Sequence, residues 1–347
     1  MQLALLPSVT ANKKPKVGRY MMKEFKDIFW NRYERRLRAG VRVVFVLLLF
    51  FLIYKGYLLI LNSIGIELFY SNETSLWIFM IAGTVRLLPA MIVLWLGGRF
   101  IDRRSLSSFG LHFNKNWWVD FCFGIGLGAF LMLSVFVVEM GFGWISISNT
   151  VYSIDSQSTF IVPLMVFLFY FAGQGTFEEL LSRGYLIKNL AEGLNLKAVG
   201  PKWAVLIAWC LISITFGLAH LGNPNANVIG ALNLILMGVT FGIGLVLTGE
   251  LAIPIGLHVS WNFFQANVFG FPVSGVTYPA EIVTLIQSNQ GGPDMWTGGN
   301  FGPEAGLLSL FANILGLLLI LVWVYIRRGR KFGEIHALLA RAPEYDY

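Results

Sequence analysis

Apolar residues in this chain run in long blocks instead of alternating with polar ones. Eight blocks stand out, at about 43–62, 77–98, 117–140, 158–177, 203–220, 228–248, 252–270 and 304–326. An α-helix needs ~20 mostly apolar residues to cross a hydrocarbon core, and these blocks cluster around that length. A closed β-barrel would show alternating segments of ~10 residues. The pattern therefore predicts an all-α polytopic membrane protein of about eight transmembrane helices. It divides the chain into an N-terminal segment 1–42, a membrane domain 43–326 and a C-terminal tail 327–347.

The polar connections between the blocks differ in charge. Segment 1–42 is dense in Lys and Arg and ends in Arg35, Arg36, Arg38 and Arg42. Arg99, Arg103, Arg104 and Lys115 fill the connection after the second block. Arg183, Lys188, Lys197 and Lys202 follow the fourth block, and Arg327, Arg328, Arg330, Lys331 and Arg341 follow the eighth. Connections 63–76, 141–157, 221–227 and 271–303 hold no Lys or Arg but carry Glu67, Glu73, Asp155, Glu281 and Asp294. The positive-inside rule then predicts that both termini are cytoplasmic. Lys55 and Arg86 fall inside blocks and read as structural, Arg86 with the option of facing a cavity or pairing with a carboxylate.

Composition agrees with this class: 56% of residues are hydrophobic and 13% charged, with a mean hydropathy of +0.66. Soluble proteins carry roughly 25% charged residues. The net charge of +7 is explained by the topology and by attraction to an anionic inner leaflet, so nucleic acid is not an expected partner. Cys122 and Cys210 lie inside apolar blocks and read as buried small hydrophobes, not a disulfide framework. The basic N-terminal segment does not have the form of a cleaved signal peptide, and the terminal EYDY offers no prenylation signal. Asn72-Glu73-Thr74 fits a glycosylation acceptor, a weak match. The Gly-rich connection 271–303 reads as a mobile cap or a plain loop.

In a membrane protein the informative residues are ionisable ones at membrane depth. Three clusters qualify. The first is Glu178-Glu179-Leu-Leu-Ser-Arg183. Adjacent helical residues point about 100° apart, so Glu179 pairs with Arg183 four residues on while Glu178 aims elsewhere. The second is Phe216 with His220, and the third His258 with Asn262, each pair four apart on one face. Taken singly, these are a solvated helix end, a helix–helix hydrogen-bonding histidine and a polar clamp. Taken together, they describe a carboxylate, two imidazoles and a carboxamide that could converge. Such a set could bind a divalent metal such as zinc or activate a water against a carbonyl. His112 and His336 lie in polar segments and read as surface residues.

At these residues the sequence resembles the CPBP family of intramembrane endopeptidases, which includes the CAAX prenyl proteases and the Abi and bacteriocin self-immunity proteins. The family's motifs Glu-Glu-x-x-x-Arg, Phe-x-x-x-His and His-x-x-x-Asn occur in order as Glu178–Arg183, Phe216–His220 and His258–Asn262. The resemblance covers about 160–270, with a looser echo in RSLSSFGL at 104–111. Ser182 departs from the aromatic residue that the family commonly has before the arginine. The resemblance implies a polar catalytic cavity within the bundle. Glu178 and His220 would hold or activate water, His258 and Asn262 would stabilise the oxyanion, and Glu179 with Arg183 would support them. A metal, if used, would take Glu178, His220 and His258. The expected substrate is a membrane-anchored or prenylated peptide, and the expected location a bacterial cell membrane. A non-catalytic binding or bacteriocin-immunity protein of the same fold is the alternative, and a transporter with a proton relay a third.

One difficulty is geometric. If the fourth helix ended at 177 and the fifth began at 203, Glu178 would lie at one membrane face and His220 about 25 Å away, at 1.5 Å per residue. A shared site requires either that the fifth helix starts well below the membrane, with 195–203 outside it, or that the site is offset by tilt and a broken helix.

Overall fold

The computed structural model describes residues 29–31, 34–66, 76–154 and 160–329. Most of the basic N-terminal segment, Asn72-Glu73-Thr74, Asp155 and the C-terminal tail with His336 lie outside them. The helices are α1 Ala39–Ser63, α2 Leu76–Leu96, α3 Lys115–Gly141, α4 Ile161–Leu194, α5 Gly200–Ala219, α6 Val228–Thr248, α7 Ala252–Phe263 and α8 Leu307–Arg328. Among the described residues seven, all but α7, are long and apolar enough to cross a membrane. The fold is thus the all-α polytopic one that the apolar blocks predict.

The block at 252–270 is the exception. It forms a helix of 12 residues that continues as a π turn, Phe264–Val268. Every residue from Ala252 to Asn262 is buried, so its unbroken apolarity reflects enclosure by protein. Small residues admit it. A Cβ on Gly124 of α3 would stand 2.6 Å from the Ile253 carbonyl oxygen, and one on Gly256 of α7 would strike the Phe121 carbonyl. Close backbone approach through small residues is how helices associate where the solvent is as apolar as the side chains. Two apolar clusters flank α7, one around Phe109, Tyr185 and Ile255, the other around Phe136, Phe241 and Trp261.

The outer surface is apolar: Leu59, Phe100 and Ile326 are all exposed, as lipid-facing side chains are. Cys122 and Cys210 share that exposure and are free thiols. The expectation that they are buried fails because an apolar block in a membrane helix has a lipid-facing side as well as an interior one.

The fourth helix corrects the span boundaries. It does not stop at 177 but passes through a π-helical stretch, Leu180–Ile187, and ends at Leu194. Glu179 and Arg183 are fully buried within it, so the reading of this stretch as a solvated helix end is overturned. A short connection, 195–199, leads into α5. Glu178 and His220 then lie roughly four to six turns from that connection, at comparable heights, and the 25 Å offset disappears.

Connections 141–157 and 271–303 are not plain loops. Strand β1, Ile145–Ser153, pairs antiparallel with β2, Val283–Gln290, in a register that sets Ile145 opposite Gln290 and Tyr152 opposite Thr284. At the opposite end of the bundle, three basic residues read as topological markers turn out to be buried: Arg36, Arg42 and Arg104. Glu192 of α4 takes Nη2 of Arg36 at 2.9 Å and Nη2 of Arg42 at 2.7 Å, and also pairs with Arg104. Asp102 takes Arg42 Nε at 3.1 Å. Burial, with Arg36 beside it, pushes the Arg104 guanidinium down to about 9.

Candidate active site

The buried helix α7 is the spine of the site. On one flank α4 comes close because residue 175 is glycine: a Cβ there would meet Val259 at 3.1 Å and the His258 ring at 3.5 Å. One helical turn on, α4 places Glu178 and Glu179 beside His258. The ring nitrogen Nδ1 lies 2.8 Å from Glu179 Oε1. A carboxylate only accepts, so Nδ1 carries the proton and donates to it. Arg183 Nη1 donates to the same oxygen at 3.1 Å. Glu179 therefore joins two partners, where the sequence spacing offered only the arginine.

Glu178 is held more loosely. Gln174 Nε2 donates to its Oε1 at 3.2 Å, while Oε2 stands 3.9 Å from His258 Nε2. That gap is too long for a hydrogen bond but within strong Coulomb range. Its side chain keeps 16% of its surface, against 0% for Glu179. The two adjacent carboxylates thus differ as their directions on the helix predict.

Phe216 ties the motifs together. Its ring lies 4.8 Å from that of His220 and 6.3 Å from that of His258, and the Arg183 guanidinium stacks on it at 4.3 Å. His220 Nδ1 donates to the Phe216 carbonyl at 2.7 Å, which frees Nε2 for the cavity. Ser182 has polar partners of its own: its hydroxyl donates to the Glu178 carbonyl and accepts Arg183 Nη1 at 2.8 Å. The position that departs from the motif thus braces the arginine by hydrogen bonding instead of aromatic packing.

These side chains surround one cavity of about 420 Å³. Glu178, Phe216, His220, His258 and Asn262 all line it, with Ser182 and Gln174. Glu179 and Arg183 stand behind it, buried. The Asn262 carboxamide is bound to no other group among the described residues. Two further charged residues reach the cavity. Arg86 of α2 has Glu178 and Tyr54 among its electrostatic and hydrogen-bonding partners, so it is a wall of the site as well as a structural residue. Glu304 comes from the turn before α8. Sequence reasoning missed it because it stands at the edge of an apolar block, with no helical companion to mark it.

Zinc takes four ligands in structural sites, and three protein ligands plus a water in catalytic ones, at about 2.0–2.3 Å. Glu178, His220 and His258 offer suitable donor atoms, but among the described residues no group of three His, Cys, Asp or Glu is gathered to hold an ion. The side chains as arranged do not make a zinc site.

Residues 160–264 match the family model described as Type II CAAX prenyl endopeptidase Rce1-like. The match covers the three motifs and the helices α4 to α7 that carry them. No curated protein and no solved structure matches the chain.

Proposed function

We propose that this protein is an intramembrane endopeptidase that hydrolyses a peptide bond in a membrane-anchored or prenylated peptide. The observation that carries the reading is the convergence of Glu178, His220, His258 and Asn262, from three helices, on one cavity. The match to the CAAX prenyl endopeptidase model over the same helices supports the substrate class. The basic ends of the bundle support a membrane protein with both termini in the cytoplasm.

In this mechanism Glu178 takes a proton from water as the oxygen adds to the scissile carbonyl. Its loose attachment leaves an oxygen for that water. His220 Nε2 orients the same water. The tetrahedral oxyanion is held by the Asn262 amide and by Nε2 of His258 in its protonated form, whose other nitrogen is fixed by Glu179. Arg183 holds Glu179 in place, so its effect on the reaction is one of position.

Purified protein in detergent should cleave a quenched fluorescent peptide bearing a membrane anchor, and Glu178→Ala should abolish cleavage without lowering protein yield. Full cleavage by that variant would refute the assignment. If the wild type binds such peptides tightly but never cleaves them, the protein is a capture or immunity protein instead.

A further inference from the structure

Besides Arg86, a second wall of the cavity comes from outside the motifs. The connection from 269 to 306 folds back over the end of α5. Gly275 N–H donates to the Phe301 carbonyl at 2.8 Å, and Asn223 Nδ2 donates to the Ser274 carbonyl at 3.1 Å. Gly302, at φ 99°, sits where any side chain would strike the Pro272 carbonyl. The connection is therefore a close-packed plate, and it brings Val273, Ser274, Val276 and Glu304 to the cavity. All of them lie outside the segment matched by the family model.

Glu304 is the unusual member. It is 2% exposed, and no Lys or Arg pairs with it among the described residues. Its Oε2 accepts Ser274 N–H at 2.6 Å and the Ser274 hydroxyl at 2.7 Å. A carboxyl buried without a cation is costly unless it is held neutral. Burial does raise its pKa, against the pull of Ser274 and of His220 and His258. The same two histidines are the leading charged neighbours of Glu178. The two carboxyl groups thus share a cavity and share both imidazoles, and Glu304 is the one without a base's solvent contact.

On the peptidase reading above, we propose that Glu304 is the proton donor to the leaving amine. Water adds its oxygen to the carbonyl carbon and gives a proton to Glu178. The C–N bond then breaks, its electron pair goes to nitrogen, and that nitrogen takes the Glu304 proton. One water is consumed, and the proton held by Glu178 replaces the one lost by Glu304 as the site resets.

An amide needs that proton because an amine anion is a very poor leaving group, whereas an ester needs it far less. The test uses full-length protein in detergent with two anchored substrates that differ only in an amide or ester at the scissile bond. Glu304→Gln should lower kcat for the amide about 100-fold, leave KM within about 2-fold, and spare the ester to within about 10-fold. Ser274→Ala serves as a second variant, since Glu304 also anchors the left-handed Ser274 at φ 48°. It should keep the wild-type ratio of amide to ester rates. Equal loss on both substrates in Glu304→Gln, an altered ratio in Ser274→Ala that matches Glu304→Gln, or undiminished amide cleavage by Glu304→Gln would each overturn the assignment. Wild-type protein that cleaves neither substrate would overturn the peptidase reading and this inference with it.

Discussion

Glu178 and Glu192 are both glutamates of α4, and both stand among buried cationic or basic side chains, but their surroundings differ in one respect. Glu192 is spent: three guanidinium groups converge on it, and its side chain is 4% exposed. Glu178 has one amide donor, a histidine just beyond hydrogen-bond reach, and a cavity in front of it. Buried charge by itself therefore does not mark an active site. Saturated ion pairs hold helices together, whereas a charge with unfilled bonding capacity beside open space is available for a substrate. The first kind gives fixed geometry at a desolvation cost that its partners offset. The second keeps that cost and uses it for chemistry.

The contrast can be broken at either cluster. Glu178→Gln should have the largest effect on catalysis, a loss of about 10²–10⁴-fold in kcat with the apparent melting temperature unchanged, read by peptide cleavage and by thermal unfolding in detergent. Glu192→Ala should reverse that profile. Loss of the carboxylate that three buried arginines share should cost on the order of 3–5 kcal/mol, lowering the melting temperature, while the folded fraction keeps its wild-type KM. If Glu192→Ala selectively lowered kcat at full stability, the division between the clusters would be wrong.

Smaller effects sharpen the boundary within the site. Glu179→Gln removes the charged partner of both His258 and Arg183, and misplacing the imidazole should reduce kcat about 10²-fold with little change in KM. Arg183→Lys keeps the charge but loses the planar stacking on Phe216, at a cost of about 0.5–2 kcal/mol seen as a lower melting temperature. Stringent chelation should leave cleavage unchanged, because no three ligands are gathered. Loss of activity that zinc alone restores would mean that Glu178, His220 and His258 close on an ion when substrate binds.

Much of the site was legible because its chemistry sits on helices, where spacing fixes direction. Glu179 with Arg183 and Phe216 with His220 meet as four-residue spacing requires. The apolar blocks likewise marked every long helix. What stayed hidden depended on contacts between distant segments. The Glu179–His258 bond joins α4 to α7, and nothing local announces it. Strands β1 and β2 pair across the four helices α4 to α7, so neither looks like half of a hairpin. The end of α4 was misplaced because hydropathy falls at Glu178 and Arg183 whether such charges meet solvent or each other. The block at 252–270 was apolar enough to span a membrane but is wrapped in protein, a distinction invisible to composition.

The π-helical stretch Leu180–Ile187 lies between the two halves of α4 that carry Glu178 and Glu192. Wider coils of this kind change the angular phase of everything beyond them. Here that phase lets one continuous rod turn Glu178 toward the cavity and, about one and a half turns past the stretch, Glu192 toward the arginines. Deleting a single residue within 180–187 while the rest of the stretch keeps its winding would turn one cluster relative to the other by up to about 100°. The two could then no longer face their partners together. Local backbone irregularity is thus the gearing that lets a single helix serve as both anchor and tool.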